Sequence, residues 1–367
     1  MVKRWWIAGL VAVVTIALCA HGAIRHVTGA EYIEKHLAAA IASANGVNRV
    51  AIGSSKFSLW HASYVAENLE FLPDTLLMAH DTHAGTLTRT RYAVTASSLR
   101  VHGIDRWALL RGGIVADSVT IHGARIDVSL DRTAGLRPPA KHATLPHVSF
   151  QAIDRPIRIG VLRVTDTEIA YSETAKDGGR PGTIRFTDFW ATVYNVTNDS
   201  SRMTSSTPCT IDVRARIAGA GQLDATFGYD LLSPRLSMTY RGTVARMGTA
   251  SLNELLVDLE GIRITSGFID STSFDFRVSD DVARGKMQIL YRGLDVELLD
   301  KVTMNRGVVA RFQTFMLNET KLSQSNPTND RTPARTATIR RERTPETPLL
   351  KFVWESLREG LLSTIGM

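Results

Sequence analysis

All ten histidines of this 367-residue chain precede position 150. None stands in the HExxH spacing that sets two imidazoles on one helical face around a metal. His80 and His83, in HDTH, come nearest, but their surroundings read as a connection between strands, and a solvated loop with no metal is expected. No serine sits in a GxSxG elbow, and no glycine-rich phosphate loop of the Walker or dinucleotide type occurs. Ser54-Ser55-Lys56 is too short a pattern for a serine/lysine hydrolase. Asp127, Asp166, Asp270 and Asp275 fall near turns or on alternating strand positions, where carboxylates mark a solvent face. Asn195-Val196-Thr197, Asn198-Asp199-Ser200 and Asn318-Glu319-Thr320 are glycosylation sequons in form only. The chemistry expected of this chain is therefore binding rather than catalysis: no catalytic residue, no cofactor and no metal.

Binding requires elements that present a surface, and the first is a run of twenty residues, Trp5 to Ile24. It has no Asp, Glu, Lys or Arg and is flanked by Lys3 and Arg4 before it and Arg25 and His26 after it. At about 1.5 Å per residue, a helix of this length covers the roughly 30 Å hydrocarbon core of a bilayer. Trp5, Trp6, Leu10, Val14, Leu18 and Ile24 are its expected transmembrane residues. The leading basic residues favour a cytoplasmic tip and an exported remainder. A cleaved export signal shares this charged start, and Ala20-His21-Gly22 offers a small-x-small site, but the run exceeds an ordinary signal core of about 7–15 residues. Leu18 before Cys19 argues against lipidation, and with Cys19 in the run and Cys209 far downstream no disulfide framework is expected.

Hydrophobic residues make up 44% and charged residues 22% of the chain, as in a folded protein. The net charge of +7 is spread along the sequence, with no basic block that argues for nucleic acid, and it suits work near anionic headgroups.

Thr28-Gly29-Ala30-Glu31 reads as a capping box opening a helix, with Ile33, Leu37, Ile41 and Ala44 at helical spacing and Gly46 after it. From Val50 to about Phe315 the period becomes two, in short alternating segments between Gly, Asp, Asn or Pro, which predicts an antiparallel β chain. Arg106 to Leu110 allows a brief helical turn. Ser251 to Glu254 reads as a second capping box, with Leu252, Leu255, Leu256 and Leu259 behind it and Gly261 as terminator, a segment suited to covering a sheet edge or end.

Residues 118–130 (SVTIHGARIDVSL) and 161–173 (VLRVTDTEIAYSE) both read as strand, tight turn, strand. Val119 matches Leu162, Ile121 matches Val164, Ile126 matches Ile169 and Val128 matches Tyr171, all offset by 43 residues, which predicts a repeated β unit. Residues 318–348 hold seven threonines, four prolines and few apolar side chains, and read as a disordered Thr/Pro/Arg-rich linker. Residues 349–367 follow as an amphipathic helix with a stripe of Leu350, Val353, Leu357 and Leu361. It can dock on the body, bind a protein partner, or lie at a membrane.

Anchor, capped helix EYIEKHLAAAIASANG, strand phrases VAENLEF, SLRVHGID and ALLRGGIVADSVTIHGARIDVSLDR, and the later SLNELLVDLEGIRITSGFIDSTSFDF and ARGKMQILYRGLDVELLDK together resemble the AsmA-like family of bacterial envelope proteins, relatives of the TamB and YhdP proteins. The resemblance covers most of residues 1–316 and implies an inner-membrane anchor, a periplasmic repeated β-groove and a role in phospholipid movement or envelope assembly. It supplies no catalytic residue.

The expected architecture is thus mainly β: a cytoplasmic tip and transmembrane helix (1–27), an elongated antiparallel repeated β-groove (28–317), the linker (318–348) and the closing helix (349–367). About 20 strands stacked at ~4.8 Å give a groove on the order of 100 Å. Val119, Ile121, Ile126, Val128, Val164, Ile169 and Tyr171 are the expected groove-lining residues. Such a groove would bind or move phospholipid acyl chains in envelope biogenesis, from a single-pass position in the bacterial inner membrane with its bulk in the periplasm. The alternative is a non-enzymatic scaffold whose β body fills itself.

Overall fold

The computed structural model describes residues 48–58, 60–73, 90–110, 113–133, 145–175, 178–204, 206–299, 324–329 and 331–365. The expected anchor, the capped helix from Thr28, and His80 and His83 lie outside the described residues. Among those described, no helix is long and apolar enough to cross a membrane.

Among the described residues, period-two sequence forms one large mixed sheet of 13 strands that does not close on itself. In chain order these are β1 (Asn48–Ser58), β2 (Ser63–Pro73), β3 (Thr90–His102), β4 (Ile114–Asp131), β5 (Ile157–Thr174), β6 (Gly182–Thr197) and β7 (Cys209–Ile217). They continue as β8 (Gly221–Tyr229), β9 (Met238–Val244), the two-residue β10 (Met247–Gly248), β11 (Ile262–Ser279), β12 (Val282–Leu298) and β13 (Thr336–Glu342). Twelve strands follow one another along the sheet in sequence order, and β10 pairs with β11 off that path. At ~4.8 Å per step the path spans about 50 Å, roughly half the length expected from sequence.

All neighbouring pairs are antiparallel except β4 and β5, which run parallel. This corrects the expected all-antiparallel sheet. A parallel pair needs a long return crossover, and residues 132–156 provide it, carrying the helix α2 (Pro146–Gln151); α1 (Arg106–Leu110) precedes it between β3 and β4. The two 43-offset segments are not two hairpins. Each lies within one continuous 18-residue strand, and the matched residues are direct partners: Val119 with Leu162, Ile121 with Val164, Ile126 with Ile169, Val128 with Tyr171.

Where a turn was expected, Gly123 (φ +63°) and Asp166 (φ +52°) hold left-handed conformations inside their strands. The register across β3, β4 and β5 carries through these points without a shift, so each is a left-handed kink made in step with its neighbours, and it turns apolar side chains before and after it onto one face. On β4 the buried positions are Ile114, Ala116 and Val119 before Gly123, and Ala124 beyond it.

Among the described residues, three helices cover the apolar face or its ends. The 3-10 turn Thr249–Leu252 leads into α3 (Asn253–Glu260), which packs on β5, β6 and β11. Its expected capping box does not form: Ser251 Oγ donates to the Gly248 carbonyl, and Leu252 at the N-cap makes no side-chain bond. Asn253 instead fastens the helix to β11, accepting from Ile264 N at 2.8 Å and donating to Ile264 O at 2.9 Å. Gly261 ends the helix in the left-handed conformation, φ +67°, as its position in the sequence required.

The last helix, α4 (Leu349–Ile365), docks on β12 and β13. Its buried line is Phe352, Ser356, Gly360 and Thr364, with Val353, Leu357 and Leu361 flanking it and Leu350 80% exposed. The expected leucine stripe is thus rotated, because small residues let the helix lie closer to the sheet. A Cβ on Gly360 would stand 2.9 Å from Met287 Cβ.

Over its described residues, 324–329 and 331–348, the expected disordered linker is corrected as well. Thr336–Glu342 is edge strand β13, paired with β12 from Val282↔Glu342 to Gln288↔Thr336. Asn326, 1% exposed, donates to Ile289 O and Arg335 O and accepts from Arg335 N at 2.7 Å. An edge strand needs only one apolar face, here Ala337 and Ile339, which a count of apolar residues does not register.

Candidate ligand-binding face

Cross-strand register assembles a continuous apolar row over all twelve strands. It starts Phe57, Tyr64, Val101, Val119, Leu162, Val193, each the direct partner of the next. It continues Ile211, Phe227, Tyr240, Phe276, Gly285, Ile339. Tyr240 stacks on Phe276 with centroids 4.9 Å apart at 8°, and Phe227 follows at 6.3 Å. Gly285 is required beside them, since a Cβ there would lie 2.6 Å from the Phe276 ring.

A second row, one step lower in each strand, runs through Leu99, Ile121, Val164, Ala191 and Val213. Below the Gly123 and Asp166 kinks comes a third: Val50, Phe71, Val94, Ile126, Ile169, Phe186 and Ile217. A fourth holds Tyr92, Val128, Tyr171 and Ile184. The seven expected lining residues therefore do come together on one face.

Coverage of this face is uneven. On β9 to β13 it is sealed by α4, where Tyr240, Phe276, Ile339 and Phe352 are buried. Tyr240's hydroxyl is buried and makes no hydrogen bond of ordinary geometry; the neighbouring Ser356 Oγ, which donates to Phe352 O at 2.8 Å, keeps lone pairs that offer it only a weak contact. Burial pushes that phenol up to about 12. At the upper end α2 closes the face, with His147 Nδ1 2.9 Å from Tyr229 Oη and Gln151 Nε2 donating to Leu231 O and Ser233 O. By contrast, every residue of the third and fourth rows is only half-buried.

A polar cluster borders those lower rows. Glu173, its side chain 7% exposed, pairs with Arg132 and accepts from Tyr171 Oη at 2.6 Å. Asp131 accepts from Thr133 N and Oγ1 at 3.0 and 2.7 Å and lies 3.6 Å from Arg91. Burial lifts the Tyr92 phenol to about 12, and burial together with Glu173 raises Tyr171. The margin thus combines charge with an adjoining apolar surface, an arrangement that suits an amphipathic ligand.

The serine/lysine triplet read from the sequence does not form a nucleophile–base pair. Ser54 donates to Glu67 rather than pairing with Lys56, and Cys209 is buried with its thiol pushed up to about 12 by desolvation. Asp127, Asp166 and Asp275 are exposed, and Asp270 is paired with Arg292 at 2.9 Å. No group of three metal-ligating side chains occurs among the described residues. Sequence reasoning missed the sealing of the upper end by α2, because its contacts with β8 and the loop after it are long-range.

Neither known protein-family models nor curated proteins show a match to this chain.

Proposed function

We propose that this protein is a non-enzymatic, membrane-anchored envelope protein whose apolar sheet face serves as a groove for lipid acyl chains. The supporting observation is the seven-strand row from Val50 to Ile217, apolar throughout and only half-buried. Each methylene moved from water onto such a surface contributes about 0.8 kcal/mol, so even a short acyl segment is held measurably. The Arg132–Glu173–Tyr171 cluster at the margin is placed to face a phospholipid headgroup. Trp5 to Ile24 would hold the groove at the inner membrane with its bulk in the periplasm, in line with the AsmA-like resemblance.

The test is native mass spectrometry and lipid extraction of the purified full-length chain, alone and as Ile126→Asn/Ile169→Asn. Co-purifying phospholipid that the double variant loses supports the reading. A consistently lipid-free wild-type chain overturns it.

The scaffold reading draws on a different observation: α4 and α2 already fill the face over β8 to β13. On α4, Leu350 and Trp354 (52% exposed) point away from the body and would meet a protein partner. Loss of a pulled-down partner on Leu350→Ser/Trp354→Ser, in a lipid-free protein, would favour this alternative.

A further inference from the structure

The polar face, behind the apolar rows, gathers cations. In the row that starts at Lys56, Arg100, Arg163, Arg241 and Lys286 stand against two acids, Asp212 and Asp275. In the next row Arg277 on β11 lies directly opposite Arg284 on β12, which lies directly opposite Arg340 on β13. All three are exposed, and none has a hydrogen-bond or ion-pair partner among the described residues.

Like charges directly opposite one another in a sheet are destabilising. At ~4.8 Å per strand the three guanidinium groups span about 10 Å. Lys286 and Arg241 adjoin them, while among the described strand residues of this face only Asp275 and Glu342 stand within one register step of these five cations. Guanidinium groups bind phosphate in a bidentate fork. Here they stand on an open strand surface, with no walls that would enclose a single soluble ion.

We propose that the Arg277–Arg284–Arg340 row docks the protein on the phosphate headgroups of an anionic bilayer. A bilayer offers repeated phosphates over the full span of the row, and its charge is complementary. This surface is on the opposite side of the sheet from the acyl-chain face and does not depend on that reading.

Full-length chain immobilised on beads is offered vesicles of phosphatidylcholine alone or with roughly one-third phosphatidylglycerol, at about 0.1 M salt. Phosphatidylglycerol vesicles should be captured in preference, and added salt should weaken capture. Arg277→Gln/Arg284→Gln/Arg340→Gln should lower capture roughly 100-fold, from three charges near an anionic surface. Lys56→Gln/Arg100→Gln/Arg163→Gln removes the same charge at the other end of the sheet and should leave capture near wild type. An unchanged urea midpoint in the arginine variant shows that the fold survives. Equal losses in both triple variants would overturn the proposal, as would competition by inorganic phosphate beyond that of chloride at equal ionic strength. Capture no better than by neutral vesicles would also overturn it, and would assign the row to a soluble polyanion or an acidic protein.

Discussion

Replacing Tyr240 with Phe should stabilise this protein. Tyr240 is fully buried between Phe227 and Phe276, and beneath α4 its hydroxyl has no hydrogen bond of ordinary geometry, only a weak contact with Ser356. An unpaired buried hydroxyl costs about 1–3 kcal/mol on protein mutational scales. Tyr240→Phe removes that cost, and the ring keeps its 4.9 Å stack on Phe276. Against this stands only the contact area of one oxygen atom. The expected net gain is about 1–2 kcal/mol, read as a higher urea midpoint with an unchanged slope, because the surface exposed on unfolding is the same. For a chain of this size the melting temperature should rise by roughly 2–4 °C per kcal/mol. Tyr240→Leu is the control: it also removes the hydroxyl but loses both aromatic contacts, and it should destabilise. If Tyr240→Phe lowers stability by about 1 kcal/mol or more, the hydroxyl is bonded in solution and the reasoning from an unpaired phenol fails.

Gly285→Val should cost at least about 1–3 kcal/mol by forcing the Phe276 ring off its seat, measured by chemical denaturation. Asn326→Ala strips buried bonds to Ile289 and Arg335, and a loss of about 2–4 kcal/mol is expected; hydrogen exchange should show β13 loosening first. His147 is held below its usual range chiefly by burial; Asp281 and Asp230 oppose the shift and Arg343 reinforces it. Its folded pKa lies under the unfolded value of about 6.5, so its contribution is fully present above that pH and is lost as the pH falls toward the folded pKa. Comparing unfolding midpoints of wild type and His147→Gln at neutral and mildly acidic pH checks this: the variant should lose less on acidification.

Alternation made the strands legible, and the four residue pairs matched at a 43-residue offset, read as a repeat of two hairpins, are cross-strand partners in one parallel pair. The error there was local. A glycine or aspartate at positive φ serves equally in a two-residue turn and in a kink within a strand, and only the neighbouring strand decides between them. Parallel pairing of β4 with β5 was hidden for the same reason, since it rests on a crossover that α2 stabilises through β8. Strand β13 escaped because its threonines and arginines occupy the polar face, where they are the ordinary choice. On α4, the leucines marked a helix, but Ser356, Gly360 and Thr364 determined which side meets the sheet. The apolar rows themselves could not be read, because a row is a property of register across twelve strands rather than of any one strand.

The single parallel step also fixes the handedness of traffic at the two margins of the sheet. In a strict meander each strand would reverse the last; here β4 and β5 travel the same way, so every later strand on the twelve-strand path runs opposite to the direction its place along that path would dictate. Asn48, opposite Pro73, begins β1 at the lower margin, whereas Glu342 ends β13 at the upper one, opposite Val282. Helix α4 then turns back down across the sealed half. The chain thus comes in from residue 47 beside the half-buried rows and finishes over the buried ones. On the groove reading proposed above, a bilayer tethered ahead of Asn48 would stand on the side of the half-buried rows, with α4 at the far edge of the sheet.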